Sequence, residues 1–184
     1  MHLNRRIPKL EIHKNMKKIK SILAIFGLLV VFSFAVSAQT SLTALGGGKI
    51  DVQRQKGKVV VLAIGASWLP LSKDQAVITN KLAKKYAGRD VVIYFVATDS
   101  ASVKSKNYAS DAELTAFATK NKLSVSVLRD SDGLQTLKKF GCDQLPSFVV
   151  LDQNGEAAEV FGGIDTNPRN DISVQISETI DKLL

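Results

Sequence analysis

The chain has 184 residues, enough for one ordinary domain, and its 45% hydrophobic and 23% charged residues are normal for a globular protein. The formal net charge is +8, but residues 1–38 contain seven of the basic residues and one acidic residue. The rest of the chain has 18 basic and 16 acidic residues. Its net charge of +2 excludes the broad positive field that nucleic-acid binding requires.

The basic N-terminal segment has the layout of a secretory signal peptide. A positive stretch, MKKIK, covers residues 16–20, and Met16 is the expected start of translation. A fifteen-residue apolar stretch follows over residues 22–36. Val36 and Ala38 place small residues where signal peptidase requires them, so cleavage is expected after Ala38.

We therefore predict a signal peptide over residues 1–38 and a single domain over residues 39–184. The protein is expected to be exported to the periplasm or cell envelope. The alternative is a membrane anchor formed by uncleaved residues 21–38. Against this, the apolar stretch is shorter than the ~20 residues that a spanning helix prefers.

The first half of the domain is predicted to contain a βαβ unit. A short strand is expected over residues 49–53. Apolar runs over 58–65 and 91–97 are typical of strands that are buried on both faces. Between them, residues 71–87 have large hydrophobic side chains every four positions, which indicates a helix. Such units build parallel sheets covered by helices.

The second half is predicted to continue this pattern and to end in a hairpin and a helix. A helix is expected from the Ser110–Glu113 capping box to about Asn121, followed by a strand over 123–128. A second helix is expected from residue 130 to Gly141, with Leu134 facing inward. The chain then forms hairpin strands over 147–152 and 156–163, joined by Asn154-Gly155, and a last helix opened by Asn167-Pro168. The predicted fold class is α/β, with a mixed central sheet and helices on both faces.

The chemistry available to the domain is limited by its residue types. Cys142 is the single cysteine, and both histidines, His2 and His13, precede the apolar stretch. This excludes a disulfide within the chain, Ser–His and Cys–His nucleophile pairs, and histidine metal ligands in the domain. The acidic run at 130–133 lacks the glutamate that an EF-hand needs at its twelfth position. We expect neither a metal nor another cofactor.

Four landmarks along residues 45–184 resemble the thioredoxin-fold, exported thiol-disulfide oxidoreductases of the TlpA/ResA type. They are the segments GKVVVLAIGASW, PLSK and KKFGCDQLPSFVVLDQNG, and the closing helix. The spacing of Trp68, Pro146 and Asn154-Gly155 is also similar to that of the family. The resemblance implies a cis peptide bond before Pro146. It further implies that peptides dock at this end of the fold, with backbone hydrogen bonds from Leu145.

The family's working motif, W-C-x-x-C, is replaced here by WLPLS. Leu69 stands in the place of the nucleophilic cysteine, and Ser72 in that of the resolving cysteine. A thiolate at a helix N-terminus is stabilised by the free N–H groups and the helix dipole, and it attacks a disulfide. Leucine has no ionisable group, and a serine hydroxyl has no useful redox couple. We therefore predict no catalytic residues at this motif.

Two functional hypotheses from different classes remain open, with a purely structural role as a third. The first is a non-catalytic module that binds an envelope protein or peptide. It is not expected to bind nucleic acid, and it is expected at the membrane only if the signal segment is uncleaved. Its predicted binding residues are Trp68, Leu69, Pro70, Leu71, Ser72, Leu145 and Pro146. The second is a thiol-disulfide oxidoreductase that uses Cys142 with a partner thiol, although a small buried hydrophobe is the simpler role for this residue.

Overall fold

The structure of the protein is a computed structural model that describes residues 40–165, 167 and 170–184. The predicted signal peptide or anchor, and Pro168 at the predicted start of the last helix, lie outside these residues. All the described residues belong to one compact unit, which ends at Leu184. No helix among them is long and apolar enough to cross a membrane.

Seven strands form one mixed sheet in the order β2-β1-β5-β4-β3-β6-β7. The three central strands, β5, β4 and β3, are parallel to one another, and the outer pairs are antiparallel. The strands are β1 Ser41–Ala44, β2 Lys49–Asp51, β3 Val59–Gly65, β4 Val91–Ala97, β5 Ser126–Arg129, β6 Ser147–Leu151 and β7 Ala157–Gly162. The sequence predicted six of these strands and missed β1.

In the part of the chain that the structure describes, four α-helices and a 3₁₀ turn connect or follow the strands. They are α1 Ser72–Lys85, α2 Asp111–Lys120, the turn Ser131–Gly133, α3 Leu137–Phe140 and α4 Ile172–Leu183. The capping box predicted for α2 is confirmed, since the Ser110 side chain accepts from Glu113 N while Glu113 caps Ser110 N.

The two faces of the sheet are covered by different elements. Alternate residues of β3 from Val59 belong to a core that includes Leu82 of α1, Leu114 of α2 and Ile176 of α4. The intervening residues of β3 belong to a second core that includes Leu42 of β1, Val52 after β2 and Phe140 of α3. The prediction of an α/β fold with helices on both faces is confirmed, although three of the helices share one face.

The predicted helix from 130 to 141 is wrong in its first half. Asp132 and Gly133 have φ values of +59° and +66°, which no α-helix accommodates. The chain therefore makes a 3₁₀ turn before the short helix α3. As a result, Leu134 is 80% exposed and does not face the core.

The last helix starts later than predicted. It begins at Ile172, and the Asp171 side chain accepts from Ser173 N as its N-cap. The spacing of Ile172, Ile176 and Ile180 predicts one apolar face for this helix, and Ile176 and Ile180 are fully buried.

Candidate binding site

The carboxyl end of β3 leads into a tight loop, residues 66–71, and then into α1. The Ala66 carbonyl accepts from Leu69 N at 3.2 Å and also from the Ser72 hydroxyl. Ser72 is 2% exposed, so its hydroxyl is committed to the loop backbone and is not offered to a ligand. The structure thus brings the two positions of the missing cysteines to the same helix start.

The start of α1 keeps the electrostatics of a thiolate site without its sulfur. Leu71 is the N-cap residue, and it makes no side-chain capping bond in the part of the chain that the structure describes. Free N–H groups and the aligned helix dipole favour a negative charge at such a position. Neither Leu69 nor Ser72 provides one, and the acidic side chain in the first turn of α1 is that of the exposed Asp74.

A second segment reaches the same end of the sheet. β6 runs antiparallel to β3, and the ladder between them ends at the pair Ile64 and Ser147. The residues before β6 therefore lie beside those after β3. The Leu145–Pro146 peptide bond is cis. The Leu145 backbone makes no hydrogen bond to any described residue, whereas the Pro146 carbonyl accepts from Gly163 N at 2.9 Å.

The predicted binding residues differ in exposure. Trp68 is 50% exposed, and Pro70 is exposed as well, whereas Ser72 and Pro146 are buried. The remaining three, Leu69, Leu71 and Leu145, are partly exposed. We call the exposed and partly exposed members the apolar rim: Trp68, Leu69, Pro70, Leu71 and Leu145.

A buried carboxylate fixes the Trp68 loop, and the sequence analysis did not identify it. Asp99 follows β4 and is fully buried. It accepts from Ser67 N at 3.0 and 3.1 Å and also from the Ser67 hydroxyl. An aspartate two residues after the carboxyl end of a buried strand was the signal that could have revealed it.

A buried amide lies beneath the loop and was also missed. Gln75, in the first turn of α1, is fully buried. Its Nε2 donates to Ile64 O at 3.0 Å and to Ser147 O at 3.1 Å. These two carbonyls belong to the last pair of the β3–β6 ladder.

Cys142 follows α3 and has the environment of a packed side chain. Gly141 ends α3 in the left-handed conformation, and Cys142 N donates to Leu137 O at 2.9 Å. The side chain is partly buried against the second core. Burial raises the pKa of the Cys142 thiol above its ordinary value; Asp143 also raises it, and a hydrogen bond with Ser147 opposes the rise. At neutral pH the thiol is therefore mostly protonated.

The described ranges contain no group of three or more His, Cys, Asp or Glu side chains arranged to hold a metal ion. Asp130 is the most buried carboxylate of the acidic run at 130–133. It accepts from Gln135 N at 3.0 Å and from Thr136 N at 2.8 Å, so it bridges the 3₁₀ turn and α3.

This architecture is the thioredoxin-like fold of the thiol-disulfide oxidoreductases. A putative thiol:disulfide interchange protein DsbE from Chlorobium tepidum superposes with a TM-score of 0.63 at 19% identity, covering 78% of this chain and 94% of that one. The exposed lipoprotein thioredoxin Etrx1 of Streptococcus pneumoniae gives 0.62 at 24% identity, with 79% and 100% covered.

The sequence comparisons define the family. Residues 30–176 match the profile described as Redoxin, and the chain belongs to this family. It is 29% identical over 126 residues to the thioredoxin-like protein YneN of Bacillus subtilis, covering 68% of this chain and 69% of YneN. It is 26% identical over 124 residues to the thiol-disulfide oxidoreductase ResA of Bacillus thuringiensis, covering 67% of this chain and 66% of ResA.

Proposed function

We propose that this protein is an exported redoxin that has lost its redox-active cysteine pair and acts as a binding module for a protein or peptide of the cell envelope. The observation that carries the proposal is the start of α1. Leu69 and Ser72 occupy it, and the Ser72 hydroxyl is bonded to Ala66 O. No thiolate can form there, so the first step of disulfide exchange has no nucleophile.

Two features support retained binding at the apolar rim. Half of the Trp68 surface is exposed, although burying a tryptophan is strongly favourable and tryptophan is enriched at the centres of protein interfaces. In the segment before β6, the Leu145 N–H and C=O have no bonding partner among the described residues. An extended segment of a partner would provide such partners by pairing with this backbone.

The buried groups behind the rim also support a shaped site. Asp99 fixes Ser67, and Gln75 bonds the ends of β3 and β6. A surface whose backbone is fixed in advance loses less conformational entropy on binding.

Export of this protein is proposed from its N-terminal sequence. Residues 16–38 have the charge, the apolar stretch and the small residues of a signal peptide. One protein of similar fold is described as a secreted disulfide oxidoreductase of Mycobacterium tuberculosis. Sequencing the N-terminus of the protein recovered from the envelope tests the proposal: a mature form starting at Gln39 supports cleavage, and retention of residues 21–38 indicates an anchor.

Site-specific photocrosslinking in living cells tests the binding proposal. A photoreactive phenylalanine derivative replaces Leu69 in the rim or, as a matched control, Val77, which is 59% exposed and lies eight residues later, in α1. The proposal expects a defined crosslinked product from position 69 and none from position 77. Equal products at both positions, or none at position 69, would contradict it.

A thiol-disulfide oxidoreductase that acts through Cys142 is the second candidate. It is favoured by the incomplete burial of the Cys142 side chain and by the position of this residue, four residues before the cis-bonded Pro146. The thiolate would attack a substrate disulfide, releasing one substrate thiol and forming a mixed disulfide. A thiol of a partner would then attack that bond and leave Cys142 reduced. Loss of disulfide reduction in a Cys142→Ser variant would support this candidate.

A further inference from the structure

The amide of Gln75 occupies the point where β3 and β6 separate. Ile64 and Ser147 are the last residue pair of their ladder. Beyond it, one chain continues into loop 66–71, and the other arrives from segment 144–146. Both carbonyls of this last pair accept from the same atom, Gln75 Nε2, at 3.0 and 3.1 Å. The helix α1 thus adds a bridge between the two strands at the base of the apolar rim.

We propose that Gln75 is a positioning residue that sets the separation of the two walls of the rim, loop 66–71 and segment 144–146. That these walls form a binding slot rests on the proposed function. The geometric part of the inference depends only on the contacts of Gln75.

The orientation of the Gln75 amide is fixed by its neighbours. Its nitrogen carries two hydrogens, one for each carbonyl, whereas the flipped amide would point its oxygen at both. In the observed orientation, Oε1 is buried and has no hydrogen-bond partner among the described residues. It lies against Gly65, where the Cβ of any other residue would overlap it.

An unpaired buried oxygen costs free energy, so packing alone does not explain this residue. Methionine has a similar length and would fill the space without an unsatisfied polar atom. What it lacks is the double donor that bonds Ile64 O and Ser147 O. We infer that bridging these two carbonyls is the reason for an amide at this position.

Three variants separate bridging from general stability. Gln75→Met keeps the volume and removes both donors. Gln75→Glu has no donor when ionised and one when protonated, and burial raises the pKa of such a carboxyl group. Thr79→Val is the matched control, because Thr79 is equally buried one turn later in α1 and its hydroxyl bonds only Gln75 O of the same helix.

The readouts are the amide NMR shifts of Leu145 and Ser147 and the fluorescence of Trp68, the only tryptophan. We expect Gln75→Met to shift both amides and to raise the accessibility of Trp68 to acrylamide, while Thr79→Val changes neither. Gln75→Glu should lie between the wild type and the methionine variant at pH 5, where its single donor restores one of the two bonds, and should approach the methionine variant as the pH rises to 9 and the carboxyl group ionises. The wild-type spectra should not change in this way.

The results distinguish this inference from the proposed function. If Gln75→Met folds with unchanged Leu145 and Ser147 shifts, or Gln75→Glu shows no pH dependence, the positioning role is wrong. If Gln75→Met does not fold, the pH profile of Gln75→Glu decides. When wild type gives a crosslink from position 69, Gln75→Met should lower its yield roughly tenfold. Absence of any wild-type crosslink would refute the proposed function. The NMR shifts would still test whether Gln75 positions loop 66–71 and segment 144–146.

Discussion

Two regions of this molecule each hold half of a thiol active site. The start of α1 has the positive end of the helix dipole, which stabilises a thiolate, but Leu69 and Ser72 provide no sulfur. Cys142 provides a sulfur, but it follows the end of α3, where the helix dipole is unfavourable to negative charge. Burial raises its pKa further.

The difference shows that the backbone electrostatics of a site and the reactive side chains placed in it are separate properties. The backbone around α1 is set by the loop bonds of Ala66, the Asp99 carboxylate and the Gln75 amide, none of which requires cysteine. The site can therefore lose its chemistry and keep its shape. The predictions below test the two halves separately.

The largest effect is expected when sulfur is returned to α1. The double variant Leu69→Cys/Ser72→Cys should reduce insulin disulfides with dithiothreitol far above the wild-type background. A helix N-terminus lowers a cysteine pKa from about 8.5 to about 7, which raises the thiolate fraction at pH 7 about sixteenfold.

The control for this restoration has one sulfur at the same helix: Leu69→Ser combined with Ser72→Cys. Without the nucleophile it should remain at background. A folded double-cysteine variant that reacts no faster than this control would mean that the surroundings of α1 no longer support exchange.

The next effect concerns the loop that carries Trp68. Replacing Asp99 by alanine removes the acceptor for Ser67 N and the Ser67 hydroxyl. We expect a loss of about 2–3 kcal/mol in the free energy of unfolding, measured by urea titration, because hydrogen bonds to charged groups are the stronger class. Trp68 should also become more accessible to acrylamide.

Asp90→Ala is the comparison for this measurement, since Asp90 is exposed and precedes the other end of β4. Its replacement should leave both stability and Trp68 quenching near the wild-type values. A similar response of the two variants would argue against a specific role of Asp99 in the loop.

A smaller effect is expected for Ser72→Ala. The variant removes the hydroxyl that donates to Ala66 O, and we expect it to destabilise the fold by about 1 kcal/mol in urea titrations. Ser67→Ala removes another hydroxyl of the same loop, the one that donates to Asp99, and its loss in unfolding free energy is the reference for the Ser72→Ala value. If the serine at position 72 proves dispensable, the bond between its hydroxyl and Ala66 O does not contribute measurably to stability.

The smallest effect is in the reactivity of Cys142. Because its folded-state pKa is raised, the thiolate fraction at pH 8 is below that of an unfolded cysteine. Alkylation by iodoacetamide should be slower in the folded protein than in urea, and the rate should keep rising above the ordinary cysteine pKa. A faster reaction in the folded state would indicate an activated thiol.

The sequence predicted the regular elements where apolar spacing was strong. The runs over β3 and β4, the stripe of α1 and the capping box of α2 all appeared at their expected positions. β1 was missed because SLTA has too few apolar residues to show a period. The helix at 130–141 was wrong because its left-handed residues, Asp132 and Gly133, break a pattern that looks helical from apolar spacing alone.

The candidate site was predicted in part. Its location followed from the resemblance around WLPLS and Pro146, and the cis bond implied by that resemblance is present. Asp99 and Gln75 were missed, because their roles arise from contacts with residues far apart in the chain, such as Gln75 with Ser147. A single sequence gives no signal for such pairs when the side chains look ordinary for a loop or an exposed helix.

Insulin disulfide reduction by the wild-type protein and by Cys142→Ser, measured side by side, tests the central claim most directly. The account predicts equal rates at the level of the reductant alone, because the α1 site has no sulfur and Cys142 has no second thiol within the chain. Sustained turnover by the wild type, abolished by Cys142→Ser, would contradict it and establish Cys142 as the working thiol.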